Sequence, residues 1–170
     1  FDGGNLLRFS TQSGRWKSYA LEGLGEVVDF QLFEHSPVLL TGSEIVMFDG
    51  DDSEAASEPL PEGFVPMDLA ISGEELAVLD TRGRIAVMGD EGFQVHTPDQ
   101  DVVPAGWMSR IGPDWIYLLE DGGIALLDPS VDLWQFEDSP QGRILAAASN
   151  ILFIGRDDSI FVRTSPGEWM

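Results

Sequence analysis

Four acidic side chains in the stretch 49–54 form the densest group of metal-binding atoms in the sequence. Asp49, Asp51, Asp52 and Glu54 stand close together in the segment DGDDSE. A hard cation such as Ca²⁺ needs several oxygen atoms that converge from one short loop. The segment lacks the D-x-D-x-D-G spacing of calcium loops, and no later acid is placed to bind an ion through both oxygens. We therefore expect a solvated loop and no metal site, with calcium binding as the open alternative.

His35 and His96 are the two histidines available for acid–base or metal chemistry. They fall in different repeat units and do not have the spacing of a metal-ligand pair. The sequence has no cysteine, which excludes thiolate chemistry. It also lacks a G-x-S-x-G nucleophile turn and a glycine-rich phosphate loop that leads into a helix. These observations predict no catalytic, cofactor-binding or metal-binding residue, and a protein that is not an enzyme.

The tryptophans are the remaining candidates for a binding site. Trp107 and Trp115 lie within apolar runs. We therefore expect them to pack in the core rather than to stack on a sugar. Trp16, Trp134 and Trp169 recur at one place in the repeat described below, which predicts a wedge between neighbouring repeat units.

The elements that carry these residues repeat along the chain. The strand-like segments LLRF, IVMF, IAVM, IALL and IFVR begin at residues 6, 45, 85, 124 and 160, at intervals of 36 to 40 residues. Each of the last four follows another apolar run and a short turn, which predicts hairpin turns at 41–44, 80–84, 120–123 and 155–159. A further run precedes each hairpin and a more polar one follows it. Each unit therefore reads as four short strands, and no helical period is sustained.

Four antiparallel strands in about 40 residues are typical of a β-propeller blade, whose apolar faces are buried by packing on neighbouring blades. We predict an all-β propeller of about four to five blades in one domain, 1–170. Its predicted parts are an outer half-blade, 1–23, and the blades 25–63, 64–101, 102–142 and 143–170. The half-blade lacks its inner pair of strands. Whether the propeller is closed, belongs to a longer one or is completed by a partner chain stays open.

The last apolar residue before each predicted turn should occupy the same buried position in every blade. This alignment places Leu40, Leu79, Leu119 and Ile154 at equivalent sites. Truncating any of them to alanine should then destabilise the fold by about 2–5 kcal/mol.

Three hairpins resemble known propeller repeats. LLRFSTQSGRWKSY resembles the repeat of two-component-regulator sensor propellers, in which an aromatic-ended strand precedes a Thr/Ser-Gly-x-aromatic turn and a closing tyrosine. GGIALLDPSVDLWQF is similar, with Asp128 and Pro129 at the turn. IFVRTSPGEW is similar to an Asp-box turn, but no aspartate lies between Ser165 and Gly167. The resemblance implies a propeller and no particular ligand, because such propellers include sensors, lyases, lectins and scaffolds.

The charge of the chain is strongly negative and uneven. Thirty acids and nine bases give a net charge of −21. Such a surface disfavours nucleic-acid phosphates and anionic membranes, and no apolar run is long enough for a membrane span. Between Lys17 and Arg82, 64 residues contain 15 acids and no base. This stretch predicts a negative side, which is either a solvated surface or a docking surface for a basic partner.

The predicted function is a non-enzymatic protein-interaction or scaffold propeller. The alternative is a sensory propeller that binds carbohydrate or another small ligand. A propeller lyase or hydrolase would need a histidine or a metal near the channel, and the sequence places neither there. The expected partner is a protein with a basic surface or one that completes the open blade; no cofactor and no nucleic acid is expected. The compartment is left open, with an extracytoplasmic location favoured.

Overall fold

The structure is a computed structural model and describes residues 4–11, 13–33, 36–48, 55–140, 142–148, 151–156 and 158–170. In this part of the chain every regular element is a β-strand, so the all-β prediction is confirmed. The first two strands, β1 (Asn5–Ser10) and β2 (Arg15–Ala20), form an antiparallel pair that we call the N-terminal hairpin. The later strands form four sheets of four consecutive antiparallel strands each.

We number these sheets in chain order. Sheet 1 contains β3 (Val27–Phe33), β4 (Ser36–Thr41), β5 (Glu44–Phe48) and β6 (Ala55–Pro59). Sheet 2 contains β7 (Pro66–Ser72), β8 (Glu75–Asp80), β9 (Ile85–Gly89) and β10 (Gly92–His96). Sheet 3 contains β11 (Pro104–Ile111), β12 (Asp114–Leu119), β13 (Ile124–Asp128) and β14 (Leu133–Glu137). Sheet 4 contains β15 (Arg143–Ala148), β16 (Ile151–Arg156), β17 (Ser159–Ser165) and β18 (Glu168–Trp169).

The chain divides into two compact units, Phe1–Leu60 and Pro61–Met170. In the first unit, Tyr19 of the N-terminal hairpin is buried in one apolar cluster with Leu39, Val46 and Phe48 of sheet 1. In the second unit, apolar clusters lie between sheets 2 and 3 and between sheets 3 and 4. Neighbouring sheets within a unit therefore pack face to face, as blades do.

Sheet 3 shows how alternation along a strand supplies two packing faces. Trp115 and Tyr117 of β12 are buried in the cluster with sheet 2. Ile116 and Leu118, the residues between and after them, are buried in the cluster with Leu152 of sheet 4. Because successive side chains of a strand point to opposite faces, a run of apolar residues such as WIYLL is required for a sheet that is covered on both sides.

Hairpin turns lie at 41–44, 80–84 and 120–123, as predicted, and join the second and third strands of sheets 1 to 3. The fourth predicted turn, 155–159, joins β16 to β17 and includes residue 157, which lies outside the described residues. Side chains close two of these turns. Thr41 Oγ1 accepts a hydrogen bond from the Glu44 amide at 3.1 Å, and Asp80 Oδ1 accepts one from the Arg84 amide at 2.9 Å. These oxygens satisfy turn amides that have no partner in the strand ladder.

The predicted equivalence of four buried residues is wrong in part. Leu79 pairs with Ile85 across the turn of sheet 2, whereas Ile124 of sheet 3 pairs with Leu118. Leu119 is half-buried and joins the cluster on the opposite face, with sheet 2. A shift of one residue moves a side chain to the other side of a sheet.

Turn hydrogen bonds explain this shift. The Asp80 amide donates to Arg84 O, and the Gly83 amide donates to Asp80 O. Leu119 makes the same two bonds, with Gly123 O and with the Gly122 amide. Leu119 therefore occupies, in the turn of sheet 3, the position that Asp80 occupies in the turn of sheet 2.

Ile154 of sheet 4 is also shifted from the predicted alignment. It pairs with Phe161, although the alignment required Ile160 as its partner. Its side chain is fully buried and faces the cluster with sheet 3. Leu40 pairs with Ile45 as predicted.

We expect Leu79→Ala to lower the free energy of unfolding by about 3 kcal/mol, because it removes a fully buried side chain from a packed cluster. Leu119→Ala should lower it by only about 1 kcal/mol, because that side chain is half-buried. Urea unfolding of both variants measures the difference. Equal losses would contradict the register given above.

Candidate protein-binding surface

Most of the acidic and histidine candidates from the sequence cannot be placed in the described structure. The stretch 49–54 and His35 lie outside the described residues. His96 is buried, and its Nδ1 atom lies 2.7 Å from Oδ1 of Asp132. Across the ranges that are described, no three His, Cys, Asp or Glu side chains are close enough to hold a metal ion. The prediction that the protein has no catalytic or metal-binding residue stays a prediction.

Charged side chains connect neighbouring sheets of the second unit. Two ion pairs each join residues from two sheets, Glu75 with Arg110 and Glu137 with Arg163, and His96 Nδ1 makes a hydrogen-bond contact with Asp132 Oδ1 in the same way. A hydrogen bond between uncharged groups also joins sheets 2 and 3: the Tyr117 hydroxyl donates to Gly83 O at 3.0 Å. Burial, and to a smaller extent the nearby Asp80 carboxylate, raises the pKa of Tyr117, so the hydroxyl keeps its proton for this bond. These groups hold the packed sheets together.

Tryptophan burial agrees with the sequence predictions at three positions. Trp115 is fully buried. Trp134 lies 6.3 Å from the Tyr117 ring and packs on the cluster between sheets 2 and 3. Trp169 packs on the cluster between sheets 3 and 4 and donates from Nε1 to Asp138 O at 3.2 Å. The predicted wedge between repeat units is thus confirmed for Trp134 and Trp169.

The predictions for the other two tryptophans are wrong. Trp107 is 52% exposed and has a φ of 60°, because β11 is irregular between Gly106 and Ser109 and this extra residue leaves the apolar face. Trp16 is 69% exposed and contacts Phe9, with ring centroids 5.0 Å apart. Trp16 lies on the face of the N-terminal hairpin opposite to Tyr19. Among the described residues of the first unit, no second sheet packs on that face.

An exposed apolar stripe runs along β3 of sheet 1. Val28, Phe30 and Leu32 are 41%, 47% and 59% exposed. Phe30 is paired with Leu39, so the two side chains share one face of the sheet. Leu39 is buried with Tyr19, whereas Phe30 is not. The N-terminal hairpin therefore covers the part of this face that includes Leu39 and leaves the β3 side open.

The N-terminal hairpin also has an open edge. By its place in the repeat, β1 corresponds to the third strands β5, β9, β13 and β17, each of which pairs with a strand on both sides. Within the described ranges, β1 pairs with β2 alone. A strand edge of this kind presents main-chain groups that can pair with another strand. We call the edge of β1 that faces away from β2, from Leu6 to Ser10, together with Val28, Phe30 and Leu32 the open site.

No protein-family model matches the chain, and no curated protein matches it in sequence. Solved structures match it in fold. Those of U3-55K and of the RRP9 WD40 repeats superpose with a TM-score of 0.65 at 14% identity, covering 86% of this chain and 51% of theirs. The structure of BBS1N in complex with ARL6DN gives 0.70 at 12% identity, covering 94% and 59%. The chain folds as a β-propeller.

A fourth match is to PorZ, a bacterial surface component of the type-IX secretion system of Porphyromonas gingivalis. Its TM-score is 0.60 at 13% identity, and it covers 97% of this chain and 25% of that one. The chain thus spans about half the length of the WD40-type structures and a quarter of PorZ. At these identities the matches establish the propeller fold alone.

Sheets 1 to 4 have the four antiparallel strands of a propeller blade, and the N-terminal hairpin has two strands. The assignment of residues 1–23 to an outer half-blade stays a prediction. The sequence did not reveal the exposed stripe on β3, because the run VVDFQLF reads like any other buried strand.

No helix among the described residues is long and apolar enough to cross a membrane.

Proposed function

We propose that this propeller is a non-enzymatic protein-interaction module and that a protein partner binds at the open site. The observation that carries the proposal is the exposed apolar stripe Val28, Phe30 and Leu32 beside β1, which pairs only with β2 among the described strands. An added strand gains main-chain hydrogen bonds from an open edge, and apolar pockets select its side chains. The same surface would favour aggregation if it stayed uncovered.

The size of the stripe limits how it can act. Covering three half-exposed apolar side chains contributes about 1 kcal/mol each. Binding in the micromolar range needs about 8 kcal/mol, before the loss of freedom on association is included. The stripe is therefore not sufficient alone, and pairing along β1 has to supply part of the affinity. A partner with an extended segment meets both needs.

Charge supports a partner with basic groups as part of the same proposal. The bases of the N-terminal hairpin are Arg8, Arg15 and Lys17, and the sequence then contains no base until Arg82. A basic partner would be attracted to this acidic stretch over about 8–10 Å, and its association would slow as salt rises. The acids at 49–54 belong to this stretch but lie outside the described residues.

The finer family assignment and the domain limits also stay proposals. The resemblance of residues 6–19 to sensor-propeller repeats supports a place among two-component-regulator-type propellers, and the terminal hairpin supports an Asp-box-like relative. The repeat supports one domain, 1–170, with the blade limits given above. A sensory propeller for carbohydrate or another small ligand is the second candidate. Exposed Trp107 favours it, because a non-glycine residue at φ 60° keeps backbone strain that often accompanies binding sites.

We expect Leu32→Asp to abolish capture of the partner from cells of the source organism, because it places a charge in the apolar stripe. The matched control is Val131→Asp, which changes an apolar residue of similar exposure, 66%, in the second unit. Both variants should unfold at the parental temperature, since both side chains are exposed. The protein captured by the parental chain is then titrated against the parental chain, Leu32→Asp and Val131→Asp at low and high salt. Equal affinity for Leu32→Asp and Val131→Asp would exclude the open site as the binding surface.

A further inference from the structure

We infer that a cleft between β10 of sheet 2 and the β13–β14 turn of sheet 3 binds a primary alkylammonium ion, either a free amine or a lysine side chain. The cleft has a volume of about 620 Å³. Its walls are β9, β10 and their turn on one side and Pro129 of sheet 3 on the other. We call it the outer cleft. It lies within the second unit, and its use does not depend on the open site.

His96 is a buried polar side chain in the wall of the outer cleft. It pairs with Ile85, and Gln94 pairs with Val87. Ile85 and Val87 pack in the cluster between sheets 2 and 3. Because cross-strand partners share one face, His96 and Gln94 face sheet 3 as well. The His96 side chain is only 2% exposed, and it lines the cleft.

Asp132 of sheet 3 fixes which nitrogen of His96 is available to a ligand. Its Oδ1 atom lies 2.7 Å from His96 Nδ1. A carboxylate only accepts hydrogen bonds, so in the neutral ring Nδ1 holds the proton and Nε2 holds the lone pair. Within the described ranges, His96 makes no other hydrogen bond. Nε2 is therefore an acceptor without a partner on a buried side chain.

The rest of the polar lining is also rich in acceptors. Asp90 and Glu91 lie in the β9–β10 turn, where both are exposed. Gln94 adds an amide, whose oxygen accepts hydrogen bonds. None of the described residues that line the cleft is a lysine or an arginine. A ligand that complements this set supplies hydrogen-bond donors and positive charge.

A primary ammonium group fits this set better than a metal ion, an anion or a sugar. In the described part of the chain, no three His, Cys, Asp or Glu side chains are close enough to hold a metal ion. An anion would be repelled by Asp90 and Glu91. A sugar hydroxyl can donate, but it gains nothing from these two charges. An ammonium group has three N–H donors, no acceptor and a positive charge.

Apolar side chains give an alkyl chain a place beside the polar groups. Val87, Met88, Phe93 and Pro129 line the same cleft. Met88 and Phe93 are half-buried, so a ligand can still cover part of their surface. Covering apolar area favours a ligand with methylene groups over a bare ammonium ion. The expected ligand is thus an amine on an aliphatic chain.

Calorimetric titration of the full chain with cadaverine at low salt tests the inference. Asp90→Asn combined with Glu91→Gln should weaken cadaverine binding by about fivefold or more, because it removes both charges from the cleft. The matched control combines Glu74→Gln with Asp99→Asn, which removes two exposed charges that do not line the cleft. This control should bind cadaverine within about twofold of the parental affinity. The diol of the same chain length should not bind.

Asp132→Asn tests the contribution of His96 through its tautomer. Asparagine can donate to Nδ1, which allows the ring proton to move to Nε2 and removes the acceptor. Nitrogen NMR of the histidine rings reports the tautomer directly. In the parental chain, cadaverine should shift the Nε2 resonance of His96. In Asp132→Asn the tautomer should change, and cadaverine binding should weaken.

The source of the ammonium group is decided by a second ligand, N-acetyl-lysine methylamide. Tighter binding of cadaverine would indicate a free amine, and equal binding would indicate a lysine side chain of a protein. Equal affinity of the two double variants would overturn the site. So would binding of the diol, an unchanged Nε2 resonance, or no saturation by about 10 mM cadaverine. These variants leave the residues of the open site unchanged, so their results are separate from the Leu32→Asp experiment.

Discussion

Gly83→Ala should lower the free energy of unfolding by about 3–6 kcal/mol. This is the largest effect that we expect from a substitution that removes no side-chain group. Gly83 has a φ of 78°, where an alanine is strained by about 1–2 kcal/mol. Its added Cβ would overlap the Val102 side chain and lie 2.8 Å from the Tyr117 hydroxyl. Moving these groups costs about 1–3 kcal/mol more, and it would weaken the bond from Tyr117 to Gly83 O.

Gly73→Ala is the matched control for this effect. Gly73 has a similar φ of 62°, but no atom outside its neighbours lies within 4 Å of an added Cβ. The control therefore contains the backbone strain without the overlap, and we expect a loss of about 1–2 kcal/mol. Urea unfolding of both variants gives the difference. Equal losses would mean that the contact of the sheet 2 turn with Tyr117 of sheet 3 does not constrain Gly83.

Glu137→Gln should destabilise the fold by about 3–5 kcal/mol, because it removes the carboxylate that is hydrogen-bonded to the buried Arg163 guanidinium. The Arg163 and Glu137 side chains are 9% and 10% exposed. Their two hydrogen bonds measure 2.6 and 3.0 Å. The Gly167 amide donates to the same carboxylate at 2.9 Å. Glu91→Gln, at an exposed position, removes one negative charge from the same molecule and should change stability by less than about 0.5 kcal/mol.

The effect of Glu137→Gln should also depend on pH. Burial raises the pKa of the Glu137 carboxyl, but the hydrogen bonds from Arg163 and Gly167 and the charge of Arg163 outweigh it and lower the pKa from 4.5. A lowered pKa in the folded state means that the stabilisation is complete above the unfolded-state pKa and is lost as pH falls through the folded-state pKa. The difference between parent and variant should therefore shrink below about pH 4.5. A difference that is constant from pH 7 to pH 3 would contradict this pairing.

The repeat could be predicted from the sequence because its turns are marked by glycine and aspartate at nearly regular intervals. The register at the turns of sheets 3 and 4 could not. Leu119 stands where Asp80 stands in the preceding blade, and only the turn hydrogen bonds show that the two are equivalent. An apolar residue in a turn position looks like the last residue of a strand. The alignment by hydrophobicity was therefore one residue out at this turn.

The candidate site was predictable in outline only. The two strands of the N-terminal hairpin follow from the two strand-like runs before residue 24, and the positions of Trp134 and Trp169 between sheets follow from their recurrence. The exposure of Phe30 and Trp107 does not follow from either. Whether an apolar residue is covered depends on strands elsewhere in the chain, and an irregularity in a first strand leaves no residue pattern that identifies it. Exposure of this kind is a property of the assembled sheets.

Every described sheet is made of strands that are adjacent in the sequence, and this has a consequence for the nascent chain. Ribosomes add about 5–20 residues per second, so one blade of about 40 residues takes some seconds to emerge. Pairing between adjacent strands is much faster than that. Each blade can therefore form before the next has left the ribosome. A finished blade such as sheet 3, which is apolar on both faces, must then wait for its successor with one face uncovered. The pace of translation sets how long that face is open to chaperones and to other nascent chains.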